Sequence, residues 1–210
     1  MEYLTQTPIT FFIIFVTAIV SILAFRNHEM FDKFKFNPYL FVHKHDYTRL
    51  FSHALLHADW LHLIVNMYVL YAFGGITEQY FSVLFPKSGK FLYMIMYLLA
   101  VVVSSLPSLL KHRNNHYYNS VGASGAVSAV LFASILFEPT GKIGFLFLPI
   151  PIPSPIFGLI YLVYSWYMAK KGTDNIGHDA HFAGSVFGFV FPIFLQPVLI
   201  LRFYTLLISV

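Results

Sequence analysis

Cysteine is absent from this chain, and charge is scarce: Asp, Glu, Lys and Arg make up 10% of its 210 residues. Without cysteine there is no disulfide framework and no thiolate metal site. Charge this sparse excludes an ordinary water-soluble domain, where about a quarter of residues are charged. There is no basic run, so the net charge of +4 suits anionic lipid headgroups better than nucleic acid. No internal repeat is evident. The N-terminal "MEYLTQTPIT" shows no basic leader and no small-residue cleavage site. The first apolar segment therefore reads as a retained helix rather than a signal peptide.

What is present is apolar: 58% hydrophobic and 19% aromatic residues describe an integral, multi-pass membrane protein. A span takes about 20 predominantly apolar residues. Six candidates follow, roughly 8–25, 60–80, 90–110, 121–137, 155–169 and 180–200. The long first loop, about 26–59, alternates aromatic and charged residues, which places it in the headgroup layer. "GFLFLPIPIPSP" holds Pro149, Pro151, Pro153 and Pro155, cannot be a regular helix, and reads as an interfacial connection. Pro192 and Pro197 sit near the far end of the sixth helix and are expected to kink it. The expected fold is all-α: a polytopic bundle of six transmembrane helices, one domain over residues 1–210.

Three places break the apolar pattern. "FSHALLHADWLHLIVN" carries His53, His57, His62 and Asn66; "NSVGASGAVSAV" carries Ser124; "GHDAHFAGSVFG" carries His178 and His181. Ionisable residues within a span are expensive and point to function. Alternating span directions put the starts of the second, fourth and sixth helices on one side. His62, Ser124 and His181 then share one depth. A hydroxyl, two imidazoles and a carboxamide at that depth can form a Ser–His nucleophile pair with a side-chain oxyanion hole. Gly122 and Gly125 let backbones approach, and Gly184 and Gly188 form a GxxxG spacing suited to a close crossing. The histidine spacings also fit a second reading. His53 and His57 stand at i, i+4 and His178 and His181 at i, i+3, as a membrane metalloenzyme would require. That reading leaves Ser124 and its glycines unexplained.

"GASG" at 122–125, "HALLHADWLHLIVN" at 53–66 and "AHFAGSVFG" at 180–188 together resemble the rhomboid intramembrane serine proteases. The likeness runs from about Arg49 to Gly188. It implies an intramembrane serine endopeptidase that cleaves transmembrane segments of other membrane proteins, with the bilayer and those substrates as its partners and no metal or cofactor. It implies Ser124 as nucleophile and His181 as general base. His62, Asn66 and the Ser124 backbone N–H are implied to hold the oxyanion, and Arg49 to fix a structured first loop. No Asp or Glu is placed to orient His181, since Asp179 faces elsewhere on a helix, so a dyad is expected rather than a triad. The family often has a tyrosine four residues after the serine, stacked on the histidine. Ser128 stands there, so histidine orientation must come from elsewhere. A non-catalytic, client-binding relative would lack the serine or the histidine, and both are present. The resemblance further implies a bacterial plasma (inner) membrane with the site facing outward. The positive-inside rule opposes that orientation: Arg26, Lys33, Lys35, Lys44, Arg49, Lys111, Arg113, Lys170 and Lys171 would share the site's face. Charges packed within a folded first loop are poor topology signals.

Overall fold

The structure, a computed structural model, describes residues 6–145, 148–172 and 174–209. The first five residues of "MEYLTQTPIT", and residues 146 and 147 of the proline-rich stretch, lie outside the described residues. Ten helices are described: α1 (Pro8–Ala24), α2 (His28–Phe34), α3 (Pro38–His43), α4 (Arg49–Ser52), α5 (Trp60–Leu84), α6 (Gly89–His112), α7 (Ser124–Phe137), α8 (Ser154–Lys171), α9 (His178–Leu195) and α10 (Val198–Ile208). A short 3-10 turn, His53–Leu55, follows α4.

At the centre stands α7. "SGAVSAVLFASILF" is apolar on every side, and every residue from Gly125 to Phe137 is buried, as expected of a helix with no polar face. It is surrounded by α5, α6 and α9, with α8 and α10 further out. Only Ser154, Gly158 and Ser165 of α8 are buried. At the far side, α1 is docked on α5 by a carboxylate. Glu78 of α5 is fully buried and accepts the Ile9 N–H at 3.0 Å, the Thr10 N–H at 2.8 Å and the Thr10 hydroxyl at 2.8 Å. It thereby caps a helix whose first amides have no intrahelical partner.

The six-span expectation is corrected. Among the described residues, two helices, Trp60–Leu84 and Gly89–His112, are long and apolar enough to cross a membrane; a third joins them only if α9 and α10 are taken as one span. The physical reason is length. At about 1.5 Å per residue, the 17-residue α1 and the 14-residue α7 fall short of a hydrocarbon core about 30 Å thick. α8 is interrupted by Tyr161, Tyr164, Trp166 and Tyr167 and ends on Lys170-Lys171. The expected sixth helix, 180–200, is two helices bent by 113° between Leu195 and Val198, a break rather than a kink, with Pro197 in the gap. What stands is an all-α, membrane-spanning helical bundle with one small addition. Lys142–Phe145 and Leu148–Pro153 pair as an antiparallel hairpin, with Lys142 opposite Pro153 and Ile143 opposite Ile152. The prolines recur every second residue there, a strand period that a two-stranded, edge-only sheet tolerates.

The first loop is folded structure. Arg49 is buried and donates to Asp32 O at 2.8 Å and Lys35 O at 2.9 Å, and its Nε pairs with Asp46 at 2.6 Å. That pair and a hydrogen bond from Thr48 hold the Asp46 carboxyl below its ordinary range, the Thr48 bond being the larger influence. The loop in turn fixes the approach to α7. Phe36 and Ser120 exchange backbone hydrogen bonds of 2.9 and 3.0 Å, and the Asn37 amide donates to His116 O at 3.0 Å.

Candidate active site

The site begins where α7 begins. Gly122 has φ +123°, a conformation that side chains with a Cβ rarely adopt. Its N–H donates to His53 O at 3.0 Å, which fastens the turn to the first loop. Ala123 precedes the helix and carries no capping oxygen, so no side chain caps α7. The first amides of the helix, Ser124's among them, stand at the positive end of the helix dipole.

Ser124 Oγ lies 2.8 Å from His181 Nε2. The crossing of α7 and α9 brings them there, and glycine permits it. A Cβ on Gly184 would run into the carbonyl oxygen of Gly125, and one on Gly188 into that of Ala129. Gly125 is tight on its other side too, where a Cβ would collide with Ser104 of α6. The helices therefore meet backbone to backbone, with no side chain between them.

His62 comes from the first turn of α5. Asp59 caps that helix, accepting the His62 N–H at 2.8 Å. The Ala58 N–H points at His62 Nδ1 at 3.4 Å, so the ring proton sits on Nε2 in the neutral imidazole. The Cε1–Nε2 edge of the ring faces the glycine turn: a Cβ on Gly122 would stand 2.7 Å from His62 Cε1 and 3.0 Å from Nε2. Asn66, buried one turn on, donates its amide to His62 O at 2.8 Å. One of its two N–H groups is thus committed to the helix backbone. Ser124, His181 and His62 are each only partly buried.

The other histidines have different occupations. His53 Nδ1 bonds Arg49 O at 3.0 Å, and His57 Nδ1 meets Ser21 Oγ at 2.9 Å, whose hydroxyl donates to Leu55 O at 2.7 Å. Burial lowers both rings, His53 to about 4 and His57, with His62 nearby, to about 3. They are neutral at neutral pH and serve the loop. His178 Nε2 pairs with Asp174 at 3.1 Å. Asp179 accepts the N–H of Ala180 at 2.8 Å and turns away from His181. Among the described residues, no group of three or more His, Cys, Asp or Glu side chains could hold a metal ion.

Sequence reasoning missed Tyr161. From α8, its ring lies parallel to that of His181, centroids 6.2 Å apart and planes at 27°, and its hydroxyl meets Ser128 Oγ at 2.8 Å. Nothing in "FGLIYLVYSWYMAK" separates this tyrosine from its neighbours. The available signal was the small, polar Ser128 at a position where a ring was wanted.

Comparison with known proteins bears on this geometry. A family profile described as a rhomboid domain matches residues 44–197. The chain is 26% identical over 144 residues to RHOMBOID-like protein 12, mitochondrial, of Arabidopsis thaliana, covering 65% of this chain and 43% of that protein. It is 30% identical over 136 residues to the human presenilin-associated rhomboid-like protein, mitochondrial, covering 63% of this chain and 34% of that protein. Rhomboid-like protein 11, chloroplastic, of Arabidopsis thaliana is 38% identical over 80 residues. The chain thus matches less than half the length of these relatives.

Proposed function

The chain belongs to the rhomboid family, and on that premise we propose that it is a serine-type endopeptidase cleaving transmembrane segments of membrane proteins by a Ser124–His181 dyad. The 2.8 Å hydrogen bond between nucleophile and base carries the reading. Ser124 Oγ attacks the scissile carbonyl carbon while its proton passes to His181 Nε2. The amide nitrogen leaves with that proton. Water then attacks the acyl-serine and gives a proton to the same imidazole; the bond to Ser124 Oγ breaks, the imidazolium returns that proton to the serine oxygen, and the new carboxyl end is released. Negative charge on the tetrahedral oxygen is met by the Ser124 backbone N–H, His62 Nε2–H and the second N–H of Asn66. These donors stand ready before the reaction, which is what makes them effective. Imidazole suits the base because its ordinary pKa is about 6.5. Substrate segments are cut near their outer end, where small or helix-breaking residues loosen the helix. We read the elements outside residues 44–197 as part of the same domain, a reading supported by Ile13 of α1 and Leu199 of α10, which join the common core.

We place the site on the outer face of a bacterial plasma membrane. Lys35 pairs with Asp32 at 2.7 Å and Arg49 is bonded within the first loop, which supports reading these charges as structural rather than as topology signals. Asn115 and Thr140 flank opposite ends of α7 and are exposed. In a chain without cysteine, Asn115→Cys in intact cells is expected to react with an impermeant maleimide and Thr140→Cys to be protected. The reverse pattern would turn the site toward the cytoplasm.

The decisive test is cleavage of a single-span substrate in detergent or liposomes. Ser124→Ala and His181→Ala are each expected to abolish cleavage with unchanged expression and extraction, and a chelator is expected to leave the wild type active. Near-normal cleavage by Ser124→Ala would sink the dyad, and loss of activity with chelator would favour the metalloenzyme.

A further inference from the structure

We propose that Tyr161 and Ser128 form a positioning pair that holds the His181 imidazole in line with Ser124, an inference that rests on the dyad reading above. His181 has little else to orient it. Among the described residues no carboxylate is hydrogen-bonded to it: Asp179 is taken by Ala180 and Asp174 by His178. Its neighbours are the Ser124 hydroxyl, the edge of the His178 ring at 5.9 Å and 81°, and the face of Tyr161. Centroids 6.2 Å apart at 27° lie within the range of an offset-stacked aromatic pair.

The Tyr161 ring is itself fixed. Phe157 lies nearly parallel to it at 5.9 Å, and Phe132 of α7 touches it at 5.9 Å and 47°. Its hydroxyl is tied to Ser128 at 2.8 Å, and Ser128 is buried. A phenol lowered into an apolar layer needs such a partner. Ser128 follows Ser124 by one helical turn, so both project from the same face of α7. One face of one helix therefore presents the nucleophile and, a turn deeper, the tether for the ring that lies against the base. A large residue at position 128 would occupy the space of the Tyr161 tip. The ring and the anchor are complementary halves supplied by different helices.

The pair acts on alignment, so its loss should slow chemistry and spare substrate binding. Two readouts separate this from simple packing: kcat against KM for a single-span substrate, and the rate at which a fluorophosphonate labels Ser124. Tyr161→Leu is expected to lower kcat and the labelling rate by about tenfold with KM unchanged, the size of one lost aromatic contact. Tyr161→Phe and Ser128→Ala are each expected to lose about two- to fivefold, as for a neutral hydrogen bond. Their double variant is expected to be no worse than either alone, because both remove the same bond. Ser128→Tyr combined with Tyr161→Leu, which returns a ring from the other helix, is expected to recover most of the labelling rate. Labelling of Tyr161→Leu at the wild-type rate would overturn the inference while leaving the dyad intact. So would additive losses in the double variant, which also decide the matter if Tyr161→Leu does not fold. A well-folded wild type in which neither labelling nor cleavage depends on Ser124 would instead defeat the dyad reading, and the inference with it.

Discussion

The two ends of α7 are built on opposite plans. At its C-terminal end side chains from three other elements are engaged. Arg202 Nη1 donates to Phe137 O at 2.7 Å, Tyr80 stacks on Phe137 at 4.9 Å, the Tyr80 hydroxyl donates to Glu138 at 3.0 Å, and Ser154 Oγ donates to Glu138 O at 3.1 Å. At its N-terminal end no side chain caps the helix, a glycine holds φ +123°, and a serine stands beside an imidazole. A helix dipole is as strong at one end as at the other. An arginine closes the negative end, whereas the positive end, where Ser124 meets His181, carries no side-chain cap. On the proposed dyad, stability is concentrated at one end and chemistry at the other.

That contrast can be broken most severely where both ends depend on one contact. Gly184→Leu would force α9 away from the Gly125 carbonyl. Overpacking of this kind costs about 3 kcal/mol or more, and a shift of about 1 Å in reacting groups costs about 10² in rate. Both the thermal midpoint and cleavage are expected to fall; a stable, active variant would make the backbone contact incidental. The open end alone is touched by His62→Ala, expected to lower kcat by about 10–10³ with the midpoint held within a few degrees. An unchanged kcat would move the oxyanion site elsewhere.

Acid should separate the ends as well. All ten histidines lie in the first loop, at the ends of α5, α6 and α9 that surround the site, or, for His116, in the connection from α6 to α7. His53 and His57 are held neutral, at about 4 and about 3, against about 6.5 in the unfolded chain. Between those values the unfolded state binds protons that the folded state does not, so stability is full above about pH 6.5 and falls as pH drops toward 4. The midpoint is expected to decline by several degrees between pH 7 and pH 4.5, with amides of the first loop exchanging first. His53→Gln should flatten the decline, and an unchanged slope would exonerate the loop. The smallest effect belongs to the closed end. Arg202→Ala loses a part-buried hydrogen bond from an otherwise exposed side chain, worth about 1 kcal/mol or about 2–4 °C, with cleavage retained. A large loss of cleavage would show that the ends are coupled.

The grouping of Ser124 with His181 was legible because both motifs open their helices and glycine marks the crossing. The span count was not, because a short, fully buried helix and a bilayer span are both apolar all round, and hydropathy cannot tell α7 from either. The break between α9 and α10 hid in Pro192 and Pro197, which read as a kink in one helix when the chain instead turns by 113°. The hairpin hid because proline argues first against helix and only then, through its two-residue period with Ile150 and Ile152, for strand. Arg49 could be named, and Asp46 stands within side-chain reach three residues before it, but its other partners, the backbone oxygens of Asp32 and Lys35, are encoded by no side-chain pattern. Tyr161 was beyond reach because its role depends on which face of α8 meets α7.

Consider, finally, the order in which the chain is made. The amides of Ile9 and Thr10 bond to Glu78, separated from them by 69 and 68 residues. At about 5–20 residues per second, α1 emerges several seconds before the carboxylate that completes it. Until α5 arrives, its first turn must borrow hydrogen bonds from water, headgroups or the insertion machinery. A helix made well before α5 therefore settles only after α5 arrives, and Glu78→Gln, which keeps the shape but weakens the acceptor, should reveal itself as slow docking of α1 during biogenesis.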